Sequence, residues 1–360
     1  MKRLILWICC FLMPTSLLPQ IVADHRAVKG FEEIPSEYII AVKKMMVWFP
    51  GESHSAAYRD GLELLEAIDA TYSAVVQWGY PAVSTTALRS AAWPMDQVGE
   101  DRWFTWKAYT SNVPEASTVI KDLIKQQVDA SNPVHVTGFA WCWDMVYGSP
   151  TATTDPILGV HWYGETVGGP DGSKAWGIDA DDYAQTGNSV SIATYLAATE
   201  DYIAYCNANN YPTKVVFTTG PVDHYAATGE GGYQVYLKHQ AIRDYVSLDK
   251  TRILFDYADI LCYDDGASSP NTTTWNGHTY PIITPTNGAT EDVGHITEEG
   301  AIRLAKAQWW LLARIAGWDG GLGSTPVTSI TVTGAGGSNT ITQDNGTLAL
   351  TATVLPTNAT

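Results

Sequence analysis

From about residue 44 to residue 318, short apolar runs bounded by turn residues alternate with stretches whose apolar positions recur every three or four residues. The first pattern fits strands buried on both faces of a sheet, and the second fits helices that lay one stripe against it. On that basis strands are predicted over 44–49, 72–79, 133–140, 214–219 and 253–261, and helices over 55–68, 117–130, 192–207 and 233–246. A last helix over 298–316 carries Ile302, Ala305, Trp309, Leu312 and Ile315 on one stripe, so Trp309 and Trp310 are expected in the core. The alternation predicts an α/β domain with a parallel sheet covered on both faces.

The pattern breaks in three places. Met1-Lys2-Arg3 and the apolar run from Leu4 to Leu18 have the charged and hydrophobic regions of a secretory leader, with cleavage expected near Ala23. A membrane anchor is the rival reading, but Pro14, Thr15 and Ser16 interrupt the run short of the roughly 20 apolar residues a span needs. No membrane span is expected in the mature chain. Residues 147–190 are rich in Gly, Asp, Thr and Tyr without a period, and a loop of that length is usually functional. The stretch reads either as an insertion over the ligand-binding end of the sheet, offering His161, Trp162, Tyr163 and Trp176 to a substrate, or as a structural loop packed on its own aromatics.

Past Trp318 the composition changes. Residues 320–326 form a Gly/Ser/Thr/Pro linker, and 327–360 are Thr-rich with alternating apolar positions, Ile330 and Val332, then Leu348, Leu350, Ala352 and Val354, around a turn at Asp344-Asn345-Gly346. The expected division is a leader over 1–23, one domain over 24–319, the linker, and a β segment over 327–360.

Charge and cysteine content narrow the partners. The chain has 21 basic and 38 acidic side chains, a formal charge of −17, and losing Lys2 and Arg3 with the leader makes it more negative by two. Such a surface repels nucleic acid and anionic membranes, and it suits a neutral or cationic substrate. Fourteen Trp and nineteen Tyr suit either sugar rings or an ordinary core. Cys142, Cys206 and Cys262 remain after the leader, which allows one bridge and a free thiol or three buried thiols.

Two segments carry candidate chemistry. The strand Met45-Met46-Val47-Trp48-Phe49 runs through Pro50-Gly51-Glu52 into Ser53, His54 and a helix, which puts Ser53 at the carboxyl end of a strand and at a helix N-terminus. There it serves either as a helix cap or as a nucleophile whose oxyanion meets backbone N–H groups. His54 is expected to touch substrate, because adjacent side chains diverge at such a turn. The second segment is Asp292-Val293-Gly294-His295, just ahead of the last helix. Its carboxylate can hold the imidazole in one tautomer while the other ring nitrogen reaches a serine, although a surface His beside Glu298 and Glu299 has the same spacing. The acidic run Asp256, Asp259, Asp264 and Asp265 misses the EF-hand spacing and reads as a solvated strand end. No zinc spacing, phosphate loop or dinucleotide fingerprint is present, so no metal and no cofactor is expected.

Taken together, the two segments resemble the SGNH (GDSL-type) hydrolases over residues 44–318. Gly51-Glu52-Ser53 is similar to the family's G-D-S block, with Glu for Asp, and Asp292 to His295 is similar to its D-x-x-H block. Val75-Val76-Gln77-Trp78-Gly79 is similar to the block whose Gly donates to the oxyanion. The G-x-N-D block is not matched, since Gly138-Phe139-Ala140-Trp141-Cys142-Trp143-Asp144 has no Asn, and losing one such donor typically lowers turnover by about 10²- to 10³-fold. Trp141 or Trp143 is the expected substitute through its indole N–H.

The resemblance implies a flavodoxin-like three-layer sandwich with a five-stranded parallel sheet. It implies a serine esterase in which His295 deprotonates Ser53, Asp292 orients His295, and the N–H groups of Ser53 and Gly79 receive the oxyanion. Residues 327–360 resemble the opening of a bacterial Ig-like (Big-type) domain, an incomplete β-sandwich. That attachment implies a longer bacterial protein, secreted or held at the cell surface, acting on a small-molecule or polysaccharide ester, with O-acyl groups on an extracellular carbohydrate expected first. The alternative is a non-catalytic surface protein that binds glycan through a degenerate domain of this kind.

Overall fold

The computed structural model describes residues 19–51, 54–92, 106, 117–141, 192–222, 228–320, 329–334 and 350–355. Residues Gln20–Gly320 form one compact unit. Its seven strands are β1 (Val22–Ala23), β2 (Met46–Trp48), β3 (Ala74–Trp78), β4 (Leu88–Ala92), β5 (Val136–Gly138), β6 (Lys214–Thr218) and β7 (Leu254–Phe255). They lie in the order β1-β7-β6-β5-β2-β4-β3, and every neighbouring pair is parallel. The principal helices are α1 (His25–Gly30), α2 (Ser36–Val42), α3 (Ser55–Ile68), α4 (Ser117–Asp129), α5 (Ile192–Ala208), α6 (Gly229–Ser247), α7 (Tyr257–Leu261), α8 (Pro285–Gly288) and α9 (Glu298–Ile315).

The alternation along the central strands sorts the core into two layers. Val47 and Phe49 of the β2 segment join Val136, Val216 and Phe255 in a cluster with residues of α1, α2, α3 and α9. Their neighbours Met46 and Trp48 join Val215, Phe217 and Leu254 in a second cluster with residues of α4, α5 and α6. Successive side chains on a strand point to opposite faces, so a run apolar at every position is what a sheet covered on both sides requires. Trp309 and Trp310 are buried in the first cluster, as the stripe on α9 predicts.

Seven strands replace the expected five, and the differences have physical causes. The segment 72–79 supplies β3, but at the edge of the sheet, with β4 between it and β2. β4, Leu-Arg-Ser-Ala-Ala, is buried at every position although its composition is poor for a strand. Burial is tolerated because the Arg89 guanidinium donates to the Lys44 carbonyl and to Asn132 Oδ1. The expected strand over 253–261 stops after Phe255, because Asp256 accepts from the Asp259 N–H and so caps α7.

At the amino end, Val22–Ala23 pairs with β7, and the Gln20 amide donates to the carbonyls of Val246, Asp249 and Arg252. Val22 and Ala23, at the end of the expected leader over 1–23, thus form an edge strand of the sheet. The rest of that leader, residues 1–18, lies outside the described residues, as do the 147–190 insertion and most of the 320–326 linker.

The carboxyl-terminal residues are described separately. β10 (Ser329–Gly334) and β11 (Leu350–Leu355) pair antiparallel, with Ser329 opposite Leu355 and Gly334 opposite Leu350. The turn expected at Asp344-Asn345-Gly346 falls outside the described residues. Ahead of them in the chain, β8 (Thr272–Trp275) and β9 (His278–Pro281) form a small hairpin on the main unit. Among the described residues no helix is long and apolar enough to cross a membrane. Cys206 and Cys262 are buried free thiols, and Cys142 lies outside the described residues.

Candidate functional site

The sheet reverses its winding at β2, which has β4 on one side and β5 on the other. A crevice outside the carboxyl ends of the strands at such a reversal is where open α/β sheets bind ligands. β2 and β5 stay close beyond their ends: the Ala140 N–H donates to the Pro50 carbonyl at 2.9 Å, and Gly51 bridges Ala140. A Cβ on residue 51 would collide with the Ala140 carbonyl oxygen, so the close approach demands glycine there. The chain then turns into α3, and the Ser55 hydroxyl donates to the Gly51 carbonyl at 3.4 Å. Residues 52 and 53 lie outside the described residues.

His295 is delivered to the same place by a different route. Thr297 caps α9 by accepting from the Gly300 N–H, and its own hydroxyl donates to the Thr286 carbonyl. The buried Asn287 amide donates to the carbonyls of Leu261 and Tyr263 and so ties the preceding loop to the end of α7. Within that loop Val293 and Ile296 exchange backbone hydrogen bonds at 2.9 and 3.2 Å, closing a turn whose central residues Gly294 and His295 have φ of 55° and 66°. Two consecutive positive φ values are the mark of a type I′ turn. For a histidine that conformation costs on the order of 1–3 kcal/mol, and strain of this kind concentrates at functional sites.

Helix packing brings the two routes together. α3 and α9 approach so closely that a Cβ on Gly61 would strike the Ala301 carbonyl, and Gln308 donates to the Tyr58 carbonyl at 2.8 Å. The rings of His54 and His295 consequently lie 4.7 Å apart, centroid to centroid. The expected substrate contact His54 is instead fully buried and turned toward His295.

The carboxylate beside His295 is not the one the D-x-x-H spacing selects. Glu291 Oε2 lies 3.2 Å from His295 Nδ1, while Asp292 Oδ2 accepts from the Thr290 hydroxyl. A turn with two positive φ values reverses the chain between residues 293 and 296, and it carries the imidazole back over residue 291. Glu291 and His295 are both part-exposed, at 37% and 30% of the side chain.

Two of the expected oxyanion donors are engaged elsewhere. Gly79 stands at the end of the edge strand β3, two strands from β2, and its N–H donates to the Ala92 carbonyl. Trp141 is buried, with its indole N–H donated to the Thr218 carbonyl at 3.2 Å and its ring packed against Phe139 and Tyr195. Trp143, Trp162 and Tyr163 fall outside the described residues.

Only the exposed Asp264 and Asp265 fit the solvated strand end expected of the acidic run, since Asp256 is buried and Asp259 is held by a histidine. Asp256 takes two hydrogen bonds from Arg243 and one from the Thr219 hydroxyl, Asp259 holds His25, and Asp265 pairs with Arg303. Burial works to raise the Asp256 carboxyl, but the Arg243 guanidinium outweighs it and holds it below the usual carboxylate range. One turn before Arg243, His239 is buried too. Burial first, and the Arg243 charge second, push its imidazole down to about 3.

The chain matches no family model and no curated protein.

Proposed function

We propose that the chain is a serine esterase or deacylase of the SGNH-like kind, with Ser53 as nucleophile and His295 as general base, acting on an ester, first of all an O-acyl group on an extracellular carbohydrate. The observation that carries the reading is the 4.7 Å approach of the His54 and His295 rings, which sets the start of α3, next to Ser53 in the sequence, against the turn that bears His295. Setting aside the edge strands β1 and β3, the remaining five follow the flavodoxin-like order 2-1-3-4-5, which supports the finer fold assignment. His295 takes the Ser53 proton, the alkoxide attacks the ester carbonyl, and the protonated imidazole returns its proton to the leaving alcohol. Water then attacks the acyl-enzyme with His295 again as base. Glu291 is the positioning residue for His295 in this arrangement, in place of Asp292.

A second reading, glycan binding without turnover, is favoured by the engagement of the Gly79 and Trp141 N–H groups away from the crevice. One experiment separates them. Wild-type protein treated with a fluorophosphonate should carry one adduct on Ser53, and His295→Ala should carry none while remaining folded. Folded wild type without an adduct would leave the binding reading standing alone.

A further inference from the structure

A cleft of about 520 Å³ opens between α1, the segment 263–268 that follows α7, and α9, and the esterase reading makes no use of it. Its size falls within the range of small-ligand sites, roughly 300–1,000 Å³. It is separate from the His54–His295 crevice. The α9 residues that line it, Arg303 and Lys306, lie about half a turn round the helix from Ala301 and Gln308, which pack on α3.

One wall is a rigid flat platform. The His25 ring stacks on Tyr263 at 3.6 Å and 12°, and Asp259 Oδ2 accepts from both the His25 backbone N–H, at 2.9 Å, and its ring Nδ1, at 2.5 Å. Side chains locked in this way lose little freedom when a ligand arrives. The charge of the remaining wall is balanced. Asp24 neutralises Arg26 and Asp265 neutralises Arg303, which leaves Lys29 and Lys306 against Glu32 and Asp264. Lys29, Glu32 and Asp264 are exposed and make no ion pair among the described residues. With Asp259 counted beside its partner His25, the cleft carries at most one net charge, and in a chain with 38 acidic and 21 basic side chains so near a balance favours neither an anion nor a cation. The oxygen and nitrogen atoms of Asp24, His25 and Asp259 do cluster, but Arg26 already occupies the Asp24 carboxylate.

A neutral molecule with many hydroxyls and a face that lies on flat rings fits a wall of alternating donors and acceptors beside an aromatic platform. We propose that this cleft is a docking subsite for a neutral, unacylated sugar unit of a polysaccharide, across α9 from the reacting ester. Sugar binding there is independent of catalysis; its part in the reaction rests on the esterase reading. A polymer held at the cleft raises the local concentration of its acyl groups at the crevice, as linked sites do.

The test titrates the full chain with xylohexaose, mannohexaose, an oligogalacturonate and calcium chloride, following heat and amide shifts, in wild type and in Glu32→Ala/Asp264→Ala. That double variant changes two exposed positions, and Tyr263→Ala serves as a second probe of the platform. The expected result is saturable millimolar binding of at least one neutral hexaose, weakened about tenfold or more by the double variant. On an acetylated form of that polymer the double variant should lose activity while p-nitrophenyl acetate hydrolysis stays within about twofold. Absence of saturable binding by either neutral hexaose, tighter binding of the oligogalacturonate or calcium, or equal affinity in the double variant overturns the subsite. Sugar binding at the cleft with no hydrolysis of either ester leaves the subsite intact and removes the esterase reading instead.

Discussion

Two histidine–carboxylate pairs stand at the carboxyl end of the sheet, and their differences are informative. His25 and Asp259 meet at 2.5 Å from distant parts of the chain, with a second hydrogen bond from the His25 backbone N–H to the same carboxylate oxygen and a tyrosine stacked on the ring. His295 and Glu291 are four residues apart, meet at 3.2 Å, and depend on a turn that holds the histidine at positive φ. By distance alone the first pair is the better dyad. The second nonetheless occupies the crevice where the sheet reverses, and catalytic hydrogen bonds are often long until substrate tightens them. In the proposed reading the short, over-determined pair is a fixed wall, and the strained, loosely held imidazole is the one that moves the proton.

The sharpest way to break this contrast is to remove each imidazole in turn. His295→Ala should lower ester turnover by about 10³-fold or more, and His25→Ala should leave turnover on a small ester within about threefold, measured on p-nitrophenyl acetate. The reverse ranking would transfer the catalytic role to the tighter pair. Next in size is the choice of carboxylate. Glu291→Gln should reduce kcat by about tenfold, well short of the roughly 10⁴-fold lost when a buried orienting carboxylate is removed, because water screens this pair; Asp292→Asn should cost less than about twofold. Equal losses would return the role to Asp292.

A third histidine supplies a buried contrast to both. Unfolded His239 takes up a proton near 6.5, yet the folded imidazole resists until about 3. Between those values the unfolded chain binds more protons, so stability is lost as pH falls through that window and regained as it rises. From about pH 7 to pH 5, His239→Gln should lose about 1–2 kcal/mol less than wild type in urea unfolding, a window in which the Asp256–Arg243 pair is still fully formed. Identical slopes would show that the residue is hydrated in the native state. Smallest is the fate of the turn: His295→Gly should raise stability by about 1 kcal/mol while abolishing turnover, because glycine adopts φ near 66° without strain.

How far the sequence could be read depended on whether local pattern and tertiary position agreed. β2, β5 and β6 read as strands because Met-Val-Trp, Val-Thr-Gly and Val-Val-Phe are apolar runs in central positions. The α3 start at Ser55 and the α9 start at Glu298 were equally legible from the helical spacing of the apolar positions that follow them. β4 was illegible, since a buried arginine satisfied by Lys44 and Asn132 has no signature in a window of five residues. β4 also separates 74–78 from β2, so Gly79, matched to the oxyanion block by resemblance, lies two strands away. At the site, segment order along an α/β chain suggested that the turn after β2 and the loop before α9 would lie near each other, but not that His54 would be the residue facing His295. The engagement of Glu291 was not foreseeable either, because it depends on two backbone dihedrals that no residue spacing encodes. Likewise nothing near Trp141 in sequence announces that the Thr218 carbonyl holds its N–H.

The outermost strand carries a lesson about the order of assembly. Val22 and Ala23 pair with Leu254 and Phe255, and Gln20 is fastened to the end of α6 and the segment after it. A ribosome makes the first of these residues long before their partners exist, and contacts so distant in sequence are slow to close. The start of the folded unit therefore waits, unpaired, until some two hundred and thirty later residues have been synthesised, about the span of a whole domain. Any helper that guards nascent edges has its longest watch here.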